Sequence, residues 1–524
     1  MKQKALSSSG HTSRCSAYRR FFGVIVFGIY VGGCSAPAAT RVDHAPFLSP
    51  AEVRTLAMGV DSVLVDSIFI GGIWSVKISD LTTGRTLFSR NENLNLLPAS
   101  NAKLYTTAAA LDQLGADFRF VTHLEALGDV RNDTLHGDLV IRGSGDPSFS
   151  PQFQDGHALR PLEAWADSLQ GKGISVITGD VIGDDDLFDD VPLGAGWMWD
   201  DEPFEDSAQI SALSLNDNCV DVTVRATIPG QPAEVSWKPD STDYVVMFNR
   251  TVTVSEGDET RESYFRERAS NRIEVLSEVA IDSEDSECIS IENPTRFFAH
   301  QLLAVLGRDG IRVLGNPVDI DDVADPGALS GERRIVATYT SPPLSELVAA
   351  VNKPSDNLHA ELLLRKLGTE FPVADSSLTP GSARMGAEAA ARTFAAASVD
   401  TSRIRLSDGS GLSRYHLVNT AMTASLLSYM WRHRDQAVRN AFIESLPVGG
   451  VDGSLRSRYP DGAARGNVRA KTGTMTSVSS LAGYVRTSSG RPLAFAFMCN
   501  NYTSPTSAVR RAQDRIVTRL ADLP

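Results

Sequence analysis

Lysine is scarce in this chain: nine occur among 524 residues, so each one can be weighed by its neighbours. Cysteine is scarcer, at five. Cys15 and Cys34 lie near the N-terminus, which leaves Cys219, Cys288 and Cys499 and room for at most one internal disulfide. Their spacing demands none, and buried free thiols are the expectation. The nine histidines include no H-E-x-x-H or other tight pair, which excludes a zinc peptidase of that kind. There is no G-x-S-x-G, so the nucleophile elbow of an α/β-hydrolase is excluded as well. Beyond residue 33 no uncharged apolar run approaches the roughly 20 residues that a spanning helix requires. Positive charge is in deficit, 50 Lys and Arg against 64 Asp and Glu, for a formal net charge of -14. That balance argues against a nucleic-acid partner, because phosphate binding needs clustered cations. Neither a metal nor a cofactor is expected.

What is present is an ordinary globular composition, 42% apolar and 22% charged, in a chain long enough for two or three domains. Residues 1–33 read as a targeting segment: Arg14, Arg19 and Arg20 are a basic n-region, and Phe21 to Gly33 a short apolar stretch. Val31-Gly32-Gly33-Cys34 resembles the lipobox of bacterial lipoproteins, which makes Cys34 a lipidation candidate. Ala36-Pro37-Ala38 offers an ordinary A-x-A cleavage site instead. Either reading puts the mature protein in the periplasm or outside the cytoplasm, with membrane attachment only through a lipid on Cys34.

The pattern along the chain is α/β, then β, then α/β. Ser49-Pro50 opens a helix with Leu56, Val60, Val63 and Leu64 on one face. A hairpin follows, Ile73 to Ile78 and Arg85 to Ser89 around Thr82-Thr83-Gly84, and then a helix from Ser100 to Leu114. Residues 118–344 carry short β-like runs (Val121 to Leu127, Leu135 to Arg142, Val176 to Ile182, Asp221 to Ala226) punctuated by Gly, Asp and Pro, the mark of a mostly β insertion. The acidic stretches Asp184 to Asp190, Asp200 to Asp206 and Asp319 to Asp325 read as solvated loops. Helices resume at Leu344 to Val351, Asn357 to Leu367 and Thr420 to Arg432. Strands follow at Val468 to Thr474, Leu481 to Thr487 and Pro492 to Asn500, before a final helix bearing Val509, Ala512, Ile516 and Leu520.

Three short patterns carry chemistry. Ser100-Asn101-Ala102-Lys103 is S-x-x-K. A helix starting at Ser100 brings Lys103 onto the same face, its amine within reach of the hydroxyl. A lysine of ordinary pKa is a poor base near neutrality, so burial or a second cation must depress it. Lys471-Thr472-Gly473 lies on a strand: the lysine suits a substrate carboxylate and supplies that cation, Thr472 can donate beside it, and Gly473 permits close approach of backbone. Between them, Ser355-Asp356-Asn357 offers a hydroxyl for proton relay and an amide for orienting substrate. Lys103 is the one lysine with a serine three residues before it, and K-T-G occurs once. S-x-N also occurs at Ser89-Arg90-Asn91 and Ser214-Leu215-Asn216; only its order between the other motifs, at a helix start, distinguishes Ser355.

With Thr106-Thr107-Ala108-Ala109-Ala110-Leu111 behind it, Pro98-Ala99-Ser100-Asn101-Ala102-Lys103-Leu104 resembles the active-site segment of peptidase family S13. These are the D-alanyl-D-alanine carboxypeptidase/endopeptidases among the class C low-molecular-mass penicillin-binding proteins. Gly143-Ser144-Gly145-Asp146-Pro147, Gly196-Trp197-Met198-Trp199-Asp200-Asp201, Ser211-Ala212-Leu213-Ser214 and Asp408-Gly409-Ser410-Gly411-Leu412-Ser413-Arg414 extend the similarity through the insert. The resemblance implies an α+β multidomain protein: a β-lactamase/DD-peptidase-like sandwich, an antiparallel sheet flanked by helices, with a β-rich two-domain insertion. The implied boundaries are a catalytic domain of 44–117 and 345–524, a second domain of 118–190 and 272–344, and a third of 191–271. It implies acylation of Ser100 by the D-Ala carbonyl of a peptidoglycan stem peptide, with β-lactams as covalent inhibitors. Lys103 would be the base, Ser355, Asn357 and Lys471 would assist, and Thr472 and Gly473 would line the substrate. The N–H groups of Ser100 and Thr474 would form the oxyanion hole, and Asp184 (or Asp185) with Arg414 would recognise the peptide side chain. A β-lactamase of the same superfamily and a non-catalytic wall-binding lipoprotein are the rival readings. The large insert and the lack of an E-x-x-L-N segment count against the first, and the intact nucleophile and base against the second.

Overall fold

The structure, a computed structural model, describes residues 48–524 apart from 240–242 and 376. The targeting segment and Cys34 lie outside the described residues. Ten helices are present among those described: α1 (Pro50–Leu64), α2 (Ala102–Leu114), α3 (Arg160–Gly171), α4 (Pro294–Arg308), α5 (Leu344–Asn352), α6 (Asn357–Glu370), α7 (Ala383–Ala396), α8 (Thr420–Trp431), α9 (Gln436–Ser445) and α10 (Thr506–Ala521).

One five-stranded antiparallel sheet joins the two ends of the chain. Its order is Arg469–Met475, Val478–Arg486, Pro492–Asn500, Ile73–Asp80, Thr86–Arg90. The strand Ile73–Asp80 pairs along its whole length with Pro492–Asn500, from Ile73 opposite Asn500 to Asp80 opposite Leu493. The expected hairpin forms its outer edge, with a register shift between Ile78 and Ser79.

Both faces of this sheet are covered, which is why Pro492–Asn500 reads as a continuous apolar run and not an alternating one. Alternate side chains still part company. Phe495 and Phe497 join α1 and α10 in one core, with Val60, Val63, Ile516 and Leu520. Ala494, Ala496 and Met498 face the opposite core, built by Leu104 and Ala108 of α2, Leu347 of α5, Leu363 of α6, Phe394 of α7, Leu426 of α8 and Phe442 of α9. The small residues on that side let α8 lie close to the sheet, and α2, which carries Lys103, packs among α5 to α9.

The insert has its own core around Ile141, Phe149, Trp165, Val222, Phe298 and Leu302. Its main sheet centres on Val121–Arg131 and Thr134–Arg142, with Arg333–Thr340 at one edge, and a second sheet pairs Cys219–Arg225 with Glu284–Ser290 and Glu234–Lys238. Two helices, α3 and α4, lie among these strands, more helix than the punctuation of the segment suggests. In α3 the apolar stripe is Leu162, Trp165, Ala166 and Leu169, a helical spacing masked by Gly and Asp on either side. Cys219, Cys288 and Cys499 are buried free thiols, the first two sharing a small cluster with Ala208.

The S-x-x-K helix begins later than its sequence suggests. Ala99–Asn101 is a 3₁₀ turn, entered through Ala99 at φ +47°, and the α-helix proper starts at Ala102. Phe497 is fully buried between the sheet and the α1–α10 layer. Phe497→Ala is therefore expected to cost about 3–5 kcal/mol, seen as a lower thermal midpoint of the purified protein by calorimetry.

Candidate active site

Three chain segments meet at Lys103. Its side chain is completely buried, and its Nζ donates to Ser100 Oγ at 3.1 Å, Asn357 Oδ1 at 2.5 Å and the Ser410 carbonyl at 2.9 Å. Three donors thus meet three acceptors, as a buried ammonium requires. Burial pushes the amine's pKa down to about 8, while the charges of Asp206, Asp356, Asp408 and Glu361 hold it from falling further. About a tenth of the amine is therefore neutral at pH 7, with its nitrogen 3.1 Å from the Ser100 hydroxyl oxygen.

The second motif brings Ser355 and Asn357 to the same place. Ser355 is left-handed, at φ +76°, and its Oγ accepts from Lys471 Nζ at 2.7 Å. Asn357, the first residue of α6, faces Lys103 with its oxygen and donates from Nδ2 to the carbonyl of Asp206 at 2.8 Å and its carboxylate at 3.2 Å. The third motif lies on the strand Arg469–Met475. The Lys471 carbonyl accepts from Asn101 Nδ2 at 2.8 Å, and Ser480 on the next strand donates to Pro98 at 2.5 Å, which fastens the Ser100 turn to the sheet. Gly473 has no room for a side chain, since a Cβ there would stand 2.7 Å from the Pro98 carbonyl and 3.0 Å from the Ser100 nitrogen. Thr472 Oγ1 bonds Ser454 Oγ at 2.7 Å, and the exposed Thr474 accepts from Arg510 at 3.1 Å.

A fourth segment, 408–416, supplies the Ser410 carbonyl. Asp408 gathers it by accepting from the N–H groups of Gly411 and Ser413 and from Trp197, with His416 at 2.5 Å. Glu361, one turn beyond Asn357 on α6, accepts from the N–H groups of Gly409 and Ser410 at 2.9 and 2.8 Å. Burial and the charge of Asp408 push the Glu361 carboxyl up to about 7. Gly411 has φ +88°, and a Cβ on it would collide with the Ala99 carbonyl at 2.0 Å. The segment was legible as a matching stretch, but its role as the ceiling over Lys103 was not.

Asp184, expected with Arg414 to recognise the peptide side chain, has a charged partner within the insert. Asp184 ends the strand Val181–Asp184 in the insert, where its carboxylate is paired with Arg333 at 2.5 Å. It is a buried member of an ion pair and not the solvated loop residue that an acidic run suggests. Arg414 instead donates to the Thr476 carbonyl at 3.2 Å, beyond the K-T-G segment, and the acid that feels its charge is Asp201. Burial raises the Asp201 pKa, Asp200 and Asp206 add to this, and Arg414 opposes it. Asp201 and Asp206 both lie in the second acidic stretch, which the sequence alone presents as solvated. Elsewhere in the insert, Asp185, Asp319 and Asp321 set oxygens within 4.8 Å of one another, one of the groups among the described residues that could hold a cation.

Comparison with known proteins matches residues 56–523 to the model of the D-Ala-D-Ala carboxypeptidase 3 (S13) family. A D-alanyl-D-alanine carboxypeptidase of Actinomadura sp. (strain R39) is 33% identical over 496 residues, covering 90% of this chain and 86% of that protein. D-alanyl-D-alanine carboxypeptidase DacB of Haemophilus influenzae is 26% identical over 419 residues, 79% of this chain and 82% of that one. The crystal structure of penicillin binding protein 4 (dacB) from Haemophilus influenzae superposes with a TM-score of 0.73 at 24% identity, covering 88% of this chain and 98% of that one, so the fold is shared.

Two outcomes follow from the geometry. The rate at which an acylating reagent modifies Ser100 should rise as pH rises through about 8, as Lys103 loses its proton, which stopped-flow measurement from pH 6 to 9 would show. Gly411→Ala should lower that rate by about 10²-fold, the scale of a misplaced catalytic group, because the Ala99–Ser100 turn must move to admit the methyl.

Proposed function

The chain belongs to the D-Ala-D-Ala carboxypeptidase 3 (S13) family, and from that membership we propose a penicillin-sensitive serine D-alanyl-D-alanine carboxypeptidase with Ser100 as its nucleophile. The observation that carries this reading is the buried Lys103 amine, its pKa near 8, bonded to the Ser100 hydroxyl.

Ser100 Oγ attacks the carbonyl carbon of the penultimate D-alanine while Lys103 Nζ takes the hydroxyl proton. The carbonyl π electrons move to oxygen, and the N–H groups of Ser100 and Thr474 receive the negative charge. A donor of this kind is worth about 10²–10³ in rate. Collapse expels the terminal D-alanine nitrogen, which takes the proton that Lys103 received from Ser100, relayed through Ser355, itself bonded to Lys471, so that Lys103 is neutral again. Water then attacks the ester, with Lys103 again as base, and frees Ser100. Lys471 and Thr472 attract the C-terminal carboxylate of the peptide, and Asn357 orients its backbone amide. Gly473 lets its strand lie against the Ser100 turn, since a Cβ there would meet Ser480 Oγ and the Pro98 carbonyl.

Arg414, whose charge Asp201 feels, reads the side chain of the stem peptide. A cross-linked peptide is cleaved by the same steps when the leaving amine belongs to a neighbouring stem, which is the endopeptidase activity. A β-lactam enters as a mimic of D-Ala-D-Ala and leaves a slow acyl-enzyme. Since the substrate is cell-wall peptidoglycan, the protein works outside the cytoplasm, and residues 1–33 are its export signal, with Cys34 as the site of a lipid anchor.

Mass spectrometry after incubation with benzylpenicillin should find a stable adduct on the wild type and none on Ser100→Ala, and only the wild type should release D-alanine from a D-Ala-D-Ala peptide. A folded wild type that carries no adduct and releases no D-alanine would sink the reading; rapid β-lactam turnover would make it a β-lactamase.

A further inference from the structure

His359 has no part in the chemistry above, yet it is 1% exposed and sits one turn into α6, four residues after Ser355. Its Nε2 lies 3.0 Å from Asp217 Oδ1. On the other side of the ring, Nδ1 has no hydrogen-bond partner and faces Asp356 Oδ2 at 3.9 Å. With a carboxylate against each nitrogen, the ring is placed as a bridging cation.

Each end of this bridge is tied to unusual backbone. Asp356 is the N-cap of α6: its Oδ1 accepts the His359 N–H at 2.9 Å, and its own N–H donates to Val351 at 3.0 Å. Immediately before it stands Ser355 at φ +76°, a conformation that a non-glycine residue keeps only where its surroundings over-determine it. Asp217 is the middle of three consecutive left-handed residues, Asn216 at +51°, Asp217 at +54° and Asn218 at +54°. Its second oxygen accepts from Ser150 Oγ at 3.0 Å. One imidazole therefore joins a constrained turn of the insert to a constrained turn of the catalytic site.

We propose that His359 is a positioning residue: by bridging Asp217 of the insert to Asp356 at the cap of α6, it holds Ser355 in the left-handed conformation that delivers its Oγ to Lys471. Burial alone would strip the ring's proton. The charge of Asp356, the bond to Asp217 and the nearby Asp146 outweigh it and raise the pKa to about 9. The charged groups facing the ring are thus Asp356 from the cap, Asp217 from the 216–218 turn and Asp146 from the segment before Phe149; Lys366, further along α6, acts in turn on Asp146. Because the folded pKa lies above the ordinary value near 6.5, the clamp is at full strength below about 6.5 and is lost as pH rises through about 9.

This inference rests on Ser100 being the acylated nucleophile, and its test separates the two. Acylation of the full chain by benzylpenicillin would be followed by stopped flow from pH 6 to 10 for wild type, His359→Gln and Asp217→Asn. The wild-type rate should climb through about 8, as Lys103 deprotonates, and fall through about 9. Both variants should lose about tenfold or more in the saturating acylation rate, with little change in the half-saturating concentration and no fall on the alkaline side. Rates within about twofold of wild type, with the alkaline fall intact, would overturn the clamp while leaving Ser100 in its role. No acylation of the wild type would overturn the reading of Ser100 itself. If His359→Gln does not fold, Asp217→Asn decides alone: the Asp217 side chain is 31% exposed, and its replacement leaves the helix cap in place.

Discussion

A lysine amine with no access to water constrains everything around it. Lys103 must fill three N–H bonds from the protein and must give up much of its affinity for a proton. Its acceptors lie in three segments, Ser100 three residues away, Asn357 at a separation of 254 and Ser410 at 307. The fold can satisfy it only by bringing α2, the start of α6 and the 408–413 loop to one point. The beginning of α6 does most of this joining. Within five residues it offers Asn357 to Lys103, His359 to the insert and Glu361 to the loop that holds Ser410.

The charge around that amine is graded. Desolvation drives the proton off, and four carboxylates at different removes hold it on. The outcome, near 8, suits an amine that takes a proton from a hydroxyl and later hands it on. The carboxylates do not act on Lys103 alone. Glu361 is bound to two backbone N–H groups, Asp408 to several donors, and Asp206 to Asn357. The chain's acidity is thus partly interior: a share of its surplus Asp and Glu is spent fixing loops around the base.

Much of this was legible in the sequence because the chemistry is local there. Ser100 and Lys103 are three residues apart, and K-T-G lies on an apolar strand, so spacing and pattern put Lys103 and Lys471 on the right elements. The closing strands were legible from their apolar runs. What stayed hidden depends on contacts between distant residues. The partners of the acidic stretches could not be chosen by composition: Asp184 pairs with Arg333 across 149 residues, and Asp201 is the acid that feels the charge of Arg414. The late start of α2 was hidden for a different reason. Ala is a strong helix former, and the close fit of Gly411 and Gly473 against the Pro98–Ser100 turn, where Ala99 is left-handed, involves residues far along the chain. His359 read as nothing at all, since its partner Asp217 lies 142 residues away.

The pairing of Ile73–Asp80 with Pro492–Asn500 has a further consequence, for the order in which the molecule can be made. A polypeptide delivered from its amino end presents Ser100 and Lys103 early. The strand bearing Lys471, to which Asn101 must bond across 370 residues, comes near the last. Until then the first hairpin has an open edge and the nucleophile lies on an unsupported turn. A chain that stops short of that strand therefore carries Ser100 and Lys103 without the sheet to which their turn is bonded.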